Sequence, residues 1–192
     1  KVVGGYDFAG DAYDGTQAPR PDKDPLDCAQ SSHGSHVAGI AGGVGVLTNG
    51  VPYTGGYGKA LNMGRFLIGP GVAPEAELFS LKVFGCSGTT GLSVDAMEWA
   101  ADPDADGDLD DHLDVVNLSL GDPYSHPRVE NNVAARLSEL GCVVVRAAVA
   151  VGAGGRGWVC AGGAVRPGVW VRGGGRGALR LAHARGSGGA GP

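Results

Sequence analysis

The chain of 192 residues is most informative in what it lacks. It has no run of about 18 apolar residues, which excludes a helix able to span a membrane. Its first residues, K-V-V-G-G-Y-D-F, have no apolar signal-peptide core. Cysteine is sparse, at four. Cys28, His33 and His36 lie close enough to suggest zinc, but no fourth ligand follows at a suitable spacing. Acidic residues and lysine stop short. All 20 Asp and Glu precede residue 146, and residues 146–192 hold only arginine among charged types, seven of them. The net charge of −5 therefore splits into −12 before that point and +7 after it. No asparagine follows Asn132, and Ser187 is the only serine after Ser138.

Where those absences end, a dense stretch begins. Ser32 to Gly43 reads S-H-G-S-H-V-A-G-I-A-G-G. His33, His36, Ile40 and Gly43 share a helical face, with Val37 beside them. Glycine inside a helix costs about 1 kcal/mol relative to alanine, so this density implies close packing against a neighbour. The spacing predicts a buried helix with His33 at its open start. A general base needs such a rigid mount and an accessible ring.

H-G-S-H-V-A-G resembles the histidine motif of the subtilisin-like serine proteases, usually H-G-T-H-V-A-G, with Ser35 keeping the threonine hydroxyl. Two further matches follow in order. Gly71 to Gly85, G-V-A-P-E-A-E-L-F-S-L-K-V-F-G, resembles the family's G-V-A-P-x-A-x-L and the buried K-V strand after it. Leu113 to Gly121, L-D-V-V-N-L-S-L-G, resembles its V-[IV]-N-M-S-L-G strand. The resemblance implies that His33 is the general base and His36 structural. It implies that Gly85 and Gly88 let a substrate backbone approach, and that Ser119, Leu120 and Gly121 border the pocket for the residue before the cleaved bond. It also implies polypeptide substrates, secretion to the cell exterior, and no organic cofactor or nucleic-acid partner. Oligomeric state is not legible. In a subtilase Cys28 and Cys86 flank the same cleft, so a bridge between them is conceivable in a secreted chain.

The resemblance stops near Val145. Where the family has A-[AS]-A-G-N, this chain has Arg146-Ala147-Ala148-Val149-Ala150, and neither G-T-S-M-A nor D-[ST]-G is present. Asp7, Asp11 and Asp14, in D-F-A, D-A-Y and D-G-T, read as solvated loop residues. Residues 146–192 hold 15 of the 37 glycines and lack large apolar periodicity. They predict an unpacked tail in which strand pairing ends near Val145 to Val151. Two readings of that tail stand: a polybasic segment, or an out-of-frame translation of GC-rich codons.

Between the motifs the chain alternates. Strands are predicted near 78–84, 114–120 and 142–145, and helices near 33–45, 91–101 and 127–140, the last capped by Gly141. Leu47 to Gly71 reads as a surface loop. Asp102, Asp104, Asp106, Asp108 and Asp110 alternate around Gly107, as in D-x-D-x-D-G-x-x-D calcium loops, but Leu113 stands where a bidentate glutamate is expected. These are the candidate Ca²⁺ ligands. The fold class is α/β, a three-layer subtilisin-like fold with a mainly parallel sheet, incomplete at both ends. Residues 1–145 form a partial peptidase domain and 146–192 the tail. The function implied is a serine-type endopeptidase of which this chain holds only the histidine. The alternative is a non-catalytic calcium-binding module with a polybasic tail.

Overall fold

The computed structural model describes residues 1–30, 32–121 and 129–146, and the backbone of 169–172. Among the described residues three α-helices and seven strands follow one another as β1 (Val2–Asp7), α1 (His33–Gly42), β2 (Val46–Leu47), β3 (Phe66–Ile68), β4 (Glu77–Lys82), α2 (Ser93–Ala101), β5 (Val115–Leu118), α3 (Val129–Glu139), β6 (Val143–Arg146) and β7 (Val169–Arg172). The central sheet runs β1-β4-β7-β5-β6. β1 pairs with β4 and β5 with β6 in parallel, as α/β crossovers require.

Strand residues alternate between two layers of helix. Leu81, Val83, Val116, Leu118 and Leu120 join Ala96, Met97 and Ala100 of α2 and Leu137 of α3 in one buried cluster. On the opposite face Leu78 meets α1, where a Cβ on Gly42 would lie 3.0 Å from its side chain. Gly42 therefore has the packing reason expected of it, whereas a Cβ on Gly39 would meet nothing within 4 Å. Each fully buried leucine contributes roughly 2 kcal/mol of transfer free energy, and the Leu81 side chain is wholly inaccessible.

The G-V-A-P segment explains how α1 stops. Gly71, Val72 and Ala73 donate their N–H groups to the carbonyls of Gly43, Ile40 and Ala41, at 2.8, 2.9 and 2.8 Å. These are the orphan acceptors of a helix C-terminus, satisfied by a neighbouring strand of backbone. Gly71 is needed there, because a Cβ would fall 2.7–2.8 Å from α1 backbone atoms. At the end of α3, Gly141 takes a φ of +100°, the cap its sequence position predicts.

Four expectations are corrected. The body of α1 is not buried: Gly42 is its only buried residue, and Ile40 is 57% exposed. Residues 47–71 are not all loop, since β2 and β3 form an antiparallel pair held by Tyr53 and Phe66 in edge contact. Asp7 is not solvated; it is 2% exposed at the end of β1. Pairing does not stop at Val151, because β7 lies antiparallel between β4 and β5, with Leu78 opposite Val171 and Val116 opposite Trp170. The alternation V-W-V-R suits a strand even within a glycine-rich stretch. The rest of the predicted tail lies outside the described residues.

Candidate active site

His33 is the first residue of α1 and is half-buried. Its Nε2 lies 3.2 Å from the backbone carbonyl oxygen of Ser119, just past β5. A carbonyl only accepts, so Nε2 carries the proton in this pose. The lone pair then sits on Nδ1 when the ring is neutral. Use of Nε2 as a base requires that contact to be released. Among the described residues no carboxylate is hydrogen-bonded to the His33 ring. His36, expected to point into the fold, is exposed.

The S-L-G end of the β5 segment is organised locally. Asn117 donates its side-chain N–H to Ser119 Oγ at 2.9 Å. Leu120 is buried in the core cluster, and Gly121 is exposed. The structure thus brings His33 and Ser119 together. Asn117 is the one polar residue of β5, and that place among apolar strand residues is the signal by which the sequence marks it.

Gly85 and Gly88 do admit a close backbone, but the occupant is the chain itself. A Cβ on Gly85 would lie 2.0 Å from Tyr13 O, and one on Gly88 2.2 Å from Asp14 O. Cys86 N donates to Asp11 O at 2.9 Å and Thr89 N to Asp14 O at 3.0 Å. Residues 11–14 therefore line one side of the segment expected to receive substrate.

Asp7 sits where three groups converge. Its Oδ1 accepts from Ala9 N and Gly10 N at 2.8 and 2.7 Å. Its Oδ2 lies 2.8 Å from Lys82 Nζ, which also contacts Asp11 Oδ1 at 2.5 Å. Burial pulls the Lys82 ammonium down, but hydrogen bonds to Asp11 and Asp7 outweigh it and hold the pKa above the ordinary lysine value. Asp7 does not orient His33. β1 and β5 are three places apart in the sheet, roughly 14 Å at ordinary strand spacing.

Cys28 and Cys86 form a disulfide with a Cα separation of 5.5 Å. That removes Cys28 from any zinc cluster with the histidines. The aspartate loop brings oxygens of Asp102, Asp104 and Asp106 within 4.8 Å of one another; Asp108 and Asp110 fall outside that group. Ala105 and Gly107 take φ of +59° and +87°, bending the loop around the three. Leu113 is wholly buried, and its N–H donates to Ala100 O at 2.9 Å. The twelfth position is a core position, which accounts for the absence of a glutamate there.

The described residues thus form an α/β sheet with a helix-mounted imidazole against the exit of a buried strand. The family model described as the subtilase family matches residues 6–169, and the chain belongs to that family. Subtilisin Savinase of Lederbergia lenta is 32% identical over 126 residues, covering 65% of this chain and 36% of its own length. An alkaline protease of Alkalihalobacillus alcalophilus is equally similar, with 26% of its length covered. Subtilisin E of Bacillus subtilis is 31% identical over 120 residues, or 62% of this chain and 24% of that protein. The chain thus spans about a quarter to a third of the relatives it matches. No solved structure matches it. Among the described residues no helix is long and apolar enough to cross a membrane.

Proposed function

We propose that this chain is the histidine-bearing part of a secreted serine endopeptidase, with His33 as its general base. The observation that carries the reading is His33 on the first turn of α1, 3.2 Å from Ser119 O. A serine hydroxyl becomes an effective nucleophile only when a base removes its proton, a carboxylate orients that base, and fixed donors receive the oxyanion. His33 supplies the first function. The nucleophile and the orienting carboxylate come from segments other than the described ones, and the 192-residue chain alone is inactive. Ser119, Leu120 and Gly121 border the pocket for the residue before the scissile bond, and Gly85 to Gly88 flank a polypeptide substrate. Asp102, Asp104 and Asp106 hold one Ca²⁺ that stiffens the loop after α2, with Asp108 and Asp110 as further ligands.

A fluorophosphonate serine probe tests this. The 192-residue chain should remain unlabelled. The product of the complete reading frame should label and hydrolyse casein, and His33→Ala should abolish both. A complete product that folds but neither labels nor cleaves would exclude the catalytic reading.

A further inference from the structure

The N-terminus of α1 is held by a residue outside the helix. Ser32 occupies the cap position, yet its side chain makes no capping hydrogen bond. Asp27 does this instead: its Oδ2 accepts from Ser35 N, in the first turn, at 2.9 Å. That N–H is one of the orphan donors of a helix start, and a carboxylate there also meets the positive end of the helix dipole. Asp27 is itself fixed by its neighbour. Cys28 is buried and bonded to Cys86, beyond the exit of β4, and Cys86 N in turn donates to Asp11 O at 2.9 Å. The same first turn of α1 carries His33, whose ring reaches the exit of β5. One turn of helix is therefore tethered to two strand exits, through Asp27 on one side and His33 on the other.

We infer that Asp27 is a positioning residue for His33, and that the Cys28–Cys86 disulfide holds Asp27 in place for that task. The consequence for function rests on His33 being the working imidazole. The mechanism is fraying. Without the carboxylate, Ser35 N loses its acceptor and the first turn opens more often. Each opening moves the Cα that carries the His33 ring. The disulfide acts one step back, by keeping the 24–28 backbone where the Asp27 carboxylate can reach Ser35.

Two readouts on the isotopically labelled 192-residue chain test this: hydrogen exchange of the Ser35 amide, and long-range ¹H–¹⁵N spectra of the His33 ring, assigned with His33→Gln. Asp27→Ala should accelerate Ser35 exchange about fivefold, the usual effect of losing a cap. It should also turn the single Nε2–H tautomer of His33 into a mixture, while His112 stays unchanged. Asp27→Asn keeps an acceptor oxygen and should restore both signals, and Ser32→Ala should alter neither. Cys28→Ser with Cys86→Ser should reproduce the loosened ring. An unchanged His33 ring in Asp27→Ala would overturn the proposal even if Ser35 exchange rose, because the cap would then be structural only. So would an effect of Ser32→Ala as large as that of Asp27→Ala. If Asp27→Ala does not fold, an unchanged ring in the cysteine pair overturns it. Neither readout depends on peptide cleavage, so loss of the protease reading would leave this result standing.

Discussion

Asp7 and Lys82 end two parallel strands side by side, 75 positions apart in the chain, and their side chains meet at 2.8 Å with exposures of only 2% and 4%. Their partnership is a register statement. Asp7 pairs with Lys82 in the β1–β4 ladder, so the ion pair forms only if that alignment is kept. Removing Lys82 strands Asp7 as a buried charge without its cation, whereas removing Asp7 leaves Lys82 with the exposed Asp11 carboxylate alone. Lys82→Met should cost about 3 kcal/mol or more in urea unfolding, and Asp7→Ala less, since Asp11 still faces the ammonium. Asp7→Leu combined with Lys82→Met should cost less than either change alone. Asp11 has an exposed side chain, and Asp11→Ala should cost under about 1 kcal/mol.

Stability should fall on the alkaline side in two stages. Burial, then the charge of Asp114, pushes the Cys142 thiol up to about 11. The folded chain thus holds that proton more tightly than the unfolded one. The contribution is complete below about pH 8.5, the ordinary thiol value, and is lost as pH rises toward 11. Lys82, also raised, contributes fully below about pH 10.4 and loses its contribution above that. Urea midpoints should decline from about pH 8.5 upward. Cys142→Ala should remove the first stage and leave the second.

Gly88, in the segment after β4, should be less replaceable than Gly107 of the aspartate loop. Gly88 and Gly107 have nearly the same φ, +86° and +87°. A Cβ on Gly107 meets open space, whereas one on Gly88 falls 2.2 Å from Asp14 O. Gly107→Ala should cost roughly 1–2 kcal/mol, the left-handed penalty alone. Gly88→Ala should cost distinctly more and displace residues 11–14, visible as amide shifts at Asp14 and Thr16.

Calcium should bind where three carboxylates already converge. Calorimetry at millimolar Ca²⁺ on a folded chain should show one site. Asp104→Asn and Asp106→Asn should each weaken it, and Asp110→Asn should have the smaller effect because that side chain lies outside the converging group. Absence of heat in the wild type would exclude the site.

How legible this was depended on where each signal sat. α2 and β5 are legible to within two residues at each end, because Ala96, Met97 and Ala100 carry a helical period and Val116 and Leu118 a strand run. The start of α1 was legible in the same way. The exposure of Ile40 and His36 was not, since the residues that would cover a helix face are not encoded in its own period. The burial of Asp7 is not legible locally, because D-F-A lacks the D-[ST]-G pattern and its partner Lys82 lies in another motif. β2 and β3, with Tyr53 packed on Phe66 of β3, are strands of two and three residues, too short for periodicity to register. Asp27 was invisible as a cap because it precedes the helix by more than the local capping distance.

The bond between Cys28 and Cys86 also acts on the chain when it is unfolded. The two cysteines are 58 residues apart, and the ring they close contains all of α1, the β2–β3 pair and all of β4. Chain-entropy arguments give such a ring about 4 kcal/mol of stabilisation, nearly all of it by shrinking the unfolded ensemble. In the oxidised chain α1 and β4 search for one another inside a closed loop rather than along an open one. An oxidising medium would therefore alter how readily α1 and β4 meet after each unfolding, and a reducing one would leave the histidine helix to find β4 unaided.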